Sequence, residues 1–176
     1  FATISRAIGE GRQLFTNLRL AFAYLLMIHA PLVLTAALIP LMGYPLLYLP
    51  LHIVWLELIL HPTSMLVFQN LPANGALTQA RARGRTRFFT PGEWAAIALA
   101  GATATLFVLG GFVFSLGDGG DVTHARAMAL AALITSGAGM VAALTGLRSR
   151  TAVVATVLPV LSAVAAIHLP PVAAVM

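Results

Sequence analysis

Between Leu49 and Gln69 the chain reads LPLHIVWLELILHPTSMLVFQ, an apolar run with Glu57, His61 and Pro62 in its middle. The run is long enough to cross a bilayer, which takes about 20 residues. An ionisable side chain at that depth costs at least ~2.5 kcal/mol, and by default it marks an ion or proton site. Glu57 and His61 are four residues apart, so on a helix they share a face. Pro62 has no N–H to donate, which takes the usual partner from the carbonyl of Leu58. A carboxylate, an imidazole and a freed carbonyl within one turn are the parts of a cation site inside a membrane. His29 stands two residues before Pro31 in an earlier apolar run, where the proline frees the carbonyl of Met27. His29, Glu57 and His61 are therefore the candidate cation ligands, and a histidine whose pKa responds to burial could itself carry a proton. Two imidazoles and a carboxylate would also suit zinc. The structural alternatives are a protonated Glu57 bonded to a neighbouring helix and neutral imidazoles bonded to backbone carbonyls.

The elements that must position these groups follow from composition. The chain is 60% hydrophobic and 9% charged, against roughly a quarter charged for a soluble domain. That places it among integral membrane proteins, as an all-α polytopic transmembrane helix bundle. About five spanning helices are expected, near residues 20–41, 49–69, 94–116, 125–147 and 151–167. An amphipathic stalk over residues 1–19 precedes them, with Ile4, Ile8, Phe15 and Leu18 at helical spacing. Gly101, Gly110 and Gly111 suit close packing of the third span, and Ser136, Gly137 and Gly139 do the same for the fourth. The chain lacks cysteine, which excludes disulfides and thiolate metal sites. It begins at Phe1 without the short apolar core of a signal peptide, so it is expected to be a piece of something longer.

All ten basic residues are arginine. With five spans, Arg6, Arg12, Arg19, the polar loop 70–93 with Arg81, Arg83, Arg85 and Arg87, and the turn with Arg148 and Arg150 fall on one side. The other side holds Asp118, Asp121 and Arg126. The positive-inside rule makes the N-terminus and the arginine loop cytoplasmic. The net charge of +5 is thereby read as membrane orientation, not as a nucleic-acid surface. The arginine loop could also contact anionic lipid headgroups. Tyr44 and Tyr48 are candidate interfacial aromatics, and His52 is expected to face the interface from the outer end of its helix. His124 and His168 are expected to be solvated, as is the turn from Gly117 to His124, whose GDGGD spacing falls short of a calcium loop.

The chain resembles, over its whole length but specifically only in its first 70 residues, the C-terminal half of the membrane domain of P-type cation-transporting ATPases, in the branch of calcium pumps and related bacterial pumps. FATISRAIGEGRQLFTNLRLAFAYLL is similar to the segment that leads into the family's fifth transmembrane helix. PLLYLPLHIVWLELILHPTSMLVFQ is similar to the loop and sixth helix of bacterial members, with their pattern LP.HIV.LELI.DP. Later helices match in order and composition. The resemblance implies an ATP-driven pump working through an aspartyl-phosphate, with ATP and Mg2+ as cofactors of the parent protein and none in this fragment. The family's phosphorylated aspartate lies in a DKTGT motif, which a chain without lysine cannot contain. The resemblance therefore implies a domain running over residues 1–176 that supplies part of an ion pathway. Its partners would be the transported cation or proton, membrane lipid, and the cytoplasmic and N-terminal transmembrane domains of the same protein, with no nucleic acid among them. Family ligand positions fall on His29 and Leu32, on Glu57, Leu60 and His61, and near Gly137. His61 stands where most of the group carry aspartate, so a single cation site or proton-coupled transport is easier to build than a two-calcium site. The style of the match implies a bacterial plasma membrane. The rival readings are a non-transporting pseudo-pump or membrane scaffold module, and a stand-alone five-span channel or carrier.

Overall fold

Apolar runs bounded by proline, glycine and arginine become helices throughout the computed structural model, which describes residues 2–69, 71, 88–117 and 120–168. Within the helices, the side chains of residues 2, 5, 59–61, 63–65 and 166–168 are outside the description, as are the arginines of the loop at 81–87 and Asp118. Among the described residues there are five helices, α1 (Ala2–Leu41), α2 (Pro50–Gln69), α3 (Pro91–Gly117), α4 (Val122–Thr145) and α5 (Arg150–His168), and no strand. Each boundary has a local cause. Pro50 and Pro91 open α2 and α3, where a missing N–H leaves nothing unsatisfied. Asp121 caps α4 by accepting the Thr123 amide at 3.3 Å, and Gly146 closes the helix in the left-handed conformation at φ 59°.

The stalk and the first span form one 40-residue helix, α1. At 1.5 Å per residue it is about 60 Å long, twice the hydrocarbon thickness of a bilayer. Among the described residues, three helices are long and apolar enough to cross a membrane: Arg6–Leu41 of α1, all of α3 and all of α4. The 20 residues of α2 rise about 30 Å, just enough to span, and α5 offers the shorter apolar stretch Arg150–Ala165. Prolines 31, 40, 62 and 159 sit inside helices, as membrane helices tolerate when neighbouring groups satisfy the freed carbonyls.

Chain order is not packing order. α1 packs most extensively along α3, α3 along α4 and α4 along α5, while α2 leans on α1, α4 and α5 with smaller contacts. Tyr24, Ile28, Val108, Phe112 and Leu133 are buried in the resulting core. A close approach occurs at Gly101 of α3, where a Cβ would stand 2.9 Å from the Ala30 Cβ and 3.6 Å from the Met27 carbonyl oxygen. The carbonyl freed by Pro31 therefore faces the glycine of α3. Gly110, Gly111 and Gly139 have nothing within 4 Å of the same position. Of the glycines expected to draw helices together, Gly101 does so, Gly137 is buried within α4, and these three border open space.

The turn between α1 and α2 is held from inside. Thr35 Oγ1 donates to the Pro31 carbonyl at 2.6 Å, so its 2.9 Å contact with Tyr48 is one in which the phenol donates. Tyr48 is thus buried, not facing the interface, and burial pushes its phenol up to about 12. Tyr44 is half-buried against the core. Across the turn, Arg126 of α4 donates from Nε to the Leu46 carbonyl at 2.9 Å. Arg126→Ala is expected to cost only about 1 kcal/mol, since the bond is exposed. Amide hydrogen exchange should nonetheless quicken in residues 42–49 and not in α3. Unchanged exchange there would show that the arginine does not hold the turn.

Candidate functional site

α1 and α2 lie in contact and carry the three candidate ligands. His29 is half-buried, and its Nδ1 lies 2.8 Å from the Leu25 carbonyl oxygen. A carbonyl can only accept, so Nδ1 carries a hydrogen and Nε2 points the other way along the ring. The same arrangement orients imidazoles that ligate metals. Glu57 is exposed on α2, and so are its neighbours Val54 and Leu58, at 63% and 70%. In the turns next to Glu57 the buried side chains are His52 and Leu56, about 100–140° around the helix from it, while Phe68, three turns on and nearly in line with Glu57, is buried against Tyr24. Glu57 is therefore exposed on the side of its own turn opposite His52 and Leu56. His61 follows one turn on, and its side chain, like that of Leu60, lies outside the description; Pro62 is exposed.

Leu32 and Gly137, the other positions aligned with family ligands, bring no charged group. Among the described residues no three His, Cys, Asp or Glu side chains form a cluster able to hold a metal ion. His52 differs from expectation. It is 1% exposed, and its Nδ1 accepts the Leu49 amide at 3.3 Å. The ring serves as a cap at the start of α2, where the first amides have no helical partner. His124 is exposed as expected, and the side chain of His168 is outside the description.

A second polar cluster ties the stalk to the start of α3. Glu93 Oε2 accepts from the Thr90 amide at 2.7 Å and from its hydroxyl at 2.8 Å, while Thr90 Oγ1 accepts the Glu93 amide at 3.3 Å. This is a reciprocal capping box. The other oxygen, Oε1, accepts from Arg19 at 2.7 Å, with the two side chains 21% and 33% exposed. Nearby, Gln13 donates to Asn17 at 2.8 Å and to the Leu71 carbonyl at 3.2 Å, which links the stalk to the chain leaving α2. The sequence carried a signal for the box in Thr90-Pro-Gly-Glu93, a capping residue with glutamate three later and proline between. Its partner Arg19 lies too far along the chain for any local pattern to find.

Glu93→Ala should remove both the box and the ion pair. Cap loss costs about 0.5–2 kcal/mol, and partial exposure limits the ion pair to about 1 kcal/mol more. A melting-point drop is expected for Glu93→Ala, with Glu93→Gln in between because the amide oxygen still accepts from Thr90. Equal melting of all three proteins would remove the cluster from the account of stability.

The helices and their apolar surfaces define a class first: an integral membrane protein built as a helical bundle, with polar side chains on two neighbouring spans. The family follows from sequence comparison, in which the family model for the cation transporting ATPase C-terminus matches residues 45–176. The chain belongs to this family and is part of the membrane domain of a cation-transporting P-type ATPase. The match begins in the turn before α2 and covers the later helices, which had resembled the family mainly in layout. No curated protein gives a significant sequence match to the chain.

Proposed function

We propose that this chain forms part of the ion-translocating path of an ATP-driven cation pump. α1 and α2 serve as the fifth and sixth transmembrane helices, and Glu57, His61 and His29 serve as cation or proton ligands. The observation that carries the reading is Glu57, an ionisable side chain exposed on an apolar span that packs against α1, α4 and α5. An ionisable side chain at membrane depth is by default a functional site. In the intact pump the N-terminal transmembrane helices would cover Glu57 and complete the site. Orientation follows the arginines, with the stalk and the arginine loop in the cytoplasm of a bacterial cell. The cytoplasmic domains would bind ATP and Mg2+ and deliver the phosphorylation energy through α1, which runs unbroken from stalk to His29.

His61 in place of aspartate, and glycine near the eighth-helix position, favour one cation or a proton over two calcium ions. The same two features motivate the rival, a pump-like membrane module that no longer transports. ATPase turnover of the intact protein, reconstituted and assayed across a panel of cations and pH values, separates the two. A rate that rises with one cation or follows pH supports transport and names the ion. A rate indifferent to every cation and to pH would leave the non-transporting module.

A further inference from the structure

We infer that the groove between α1 and the start of α3 holds an anionic phospholipid, its phosphate at Arg12 and an acyl chain along Phe22, Leu26 and Trp94. The groove has a volume of about 620 Å3 and is lined by Phe22, Leu26, Phe88, Phe89, Pro91 and Trp94. Its walls are braced by edge-to-face rings. Phe88 meets Phe15 at 5.6 Å, Phe22 at 5.7 Å and Phe89 at 4.8 Å, and Phe89 meets Trp94 at 5.2 Å. Interlocked rings hold such a groove open as a preformed surface. Yet Phe22 and Trp94 remain 47% and 51% exposed.

Charge selects the occupant. Arg12, Phe15, Arg19, Phe22 and Leu26 follow one another at spacings of three and four, a single stripe along α1. Arg19 is engaged by Glu93. Arg12 is exposed and has no partner among the described residues. Arg6 and Glu10 pair with each other and lie off the stripe. The stripe thus passes from an unpaired positive charge to an aromatic groove, the polarity of an amphiphile with an anionic head. Its span from Arg12 to Leu26 is about 21 Å, the depth of one bilayer leaflet with its headgroups. One arginine near the surface is worth about a five-fold preference for an anionic over a zwitterionic headgroup. The inference needs only the membrane location and is independent of the cation ligands.

The test uses the intact protein with Trp94 as its one tryptophan, reconstituted in phosphatidylcholine vesicles. An equal minor fraction of the lipid is brominated phosphatidylglycerol in one set and brominated phosphatidylcholine in the other. Brominated phosphatidylglycerol is expected to quench Trp94 fluorescence at about one-fifth the membrane fraction that the zwitterionic lipid requires. Arg12→Gln should bring the two to parity, and Arg12→Lys should keep the preference because the charge is kept. Equal quenching by both lipids in the wild type means that only bulk lipid visits the groove. Absence of quenching by either means that another part of the protein covers it, and a preference that survives Arg12→Gln means the headgroup is read elsewhere. Each of these three results overturns the inference.

Discussion

Glu57→Gln is expected to remove the cation-dependent part of ATPase turnover in the intact protein while leaving its folding unchanged. Glutamine keeps the shape of the side chain and removes only its charge. The amide also keeps an oxygen that accepts hydrogen bonds, so the packing around position 57 in the intact protein keeps its shape. The effect on ion binding should be large. Losing even an outer partner of a metal ligand costs about 10–100-fold in affinity, so losing a ligand should cost at least that. The concentration of cation giving half-maximal turnover should therefore rise by that factor or more, with melting temperature held. If the transported species is a proton, the pH dependence of turnover should flatten instead. His29→Ala should have the smaller effect, because its ring already bonds to the Leu25 carbonyl on its own helix. An unaltered cation profile in Glu57→Gln would remove Glu57 from the pathway, whatever the parent protein's activity.

Helix positions were legible in the sequence because membrane spans announce themselves as apolar runs with abrupt polar ends. α2 opens at Pro50 where Leu49 was expected, and α4 spans Val122–Thr145 where residues 125–147 were expected. The junction of stalk and span was less legible. A change from charged to apolar composition at Arg19 reads as a boundary, but the backbone hydrogen bonds continue through it and α1 is one helix. Facing was the least legible property. A membrane helix apolar on all sides carries little record of which side meets protein and which meets lipid. Hence His52, expected at the interface, is buried under α2, while Glu57 on the same helix is exposed. The glycines of α3 show the same limit. Composition marks all of them as packing residues, yet proximity of another helix singles out Gly101.

That distinction gives a second large effect, at the contact between α1 and α3. Without a strong hydrophobic drive between helices in lipid, small residues that let backbones approach are what hold them together. A Cβ on Gly101 would stand 2.9 Å from the Ala30 Cβ, which is fixed to the backbone of α1 and cannot swing aside. Gly101→Ala must then separate the helices slightly, at about 1–3 kcal/mol for overpacking. Its gain in helix propensity, about 1 kcal/mol, offsets part of this. Gly101→Leu should reach or exceed about 3 kcal/mol, because the larger side chain meets the Met27 carbonyl as well. Gly110→Ala and Gly111→Ala, which meet nothing within 4 Å, should be neutral or mildly stabilising. Thermal unfolding of the intact protein in detergent ranks these variants. The decisive comparison is the double mutant. Ala30→Gly empties the space that a Cβ at 101 needs, so Gly101→Ala with Ala30→Gly should be more stable than the sum of the two single changes, by about 1–3 kcal/mol of coupling. Additive losses, or a Gly101→Ala protein that melts with Gly110→Ala, would mean that the two helices do not meet at this pair. Coupling of the expected sign would fix α3 against α1 one residue from His29, so that any tilt of the stalk helix at the candidate site has to carry α3 with it.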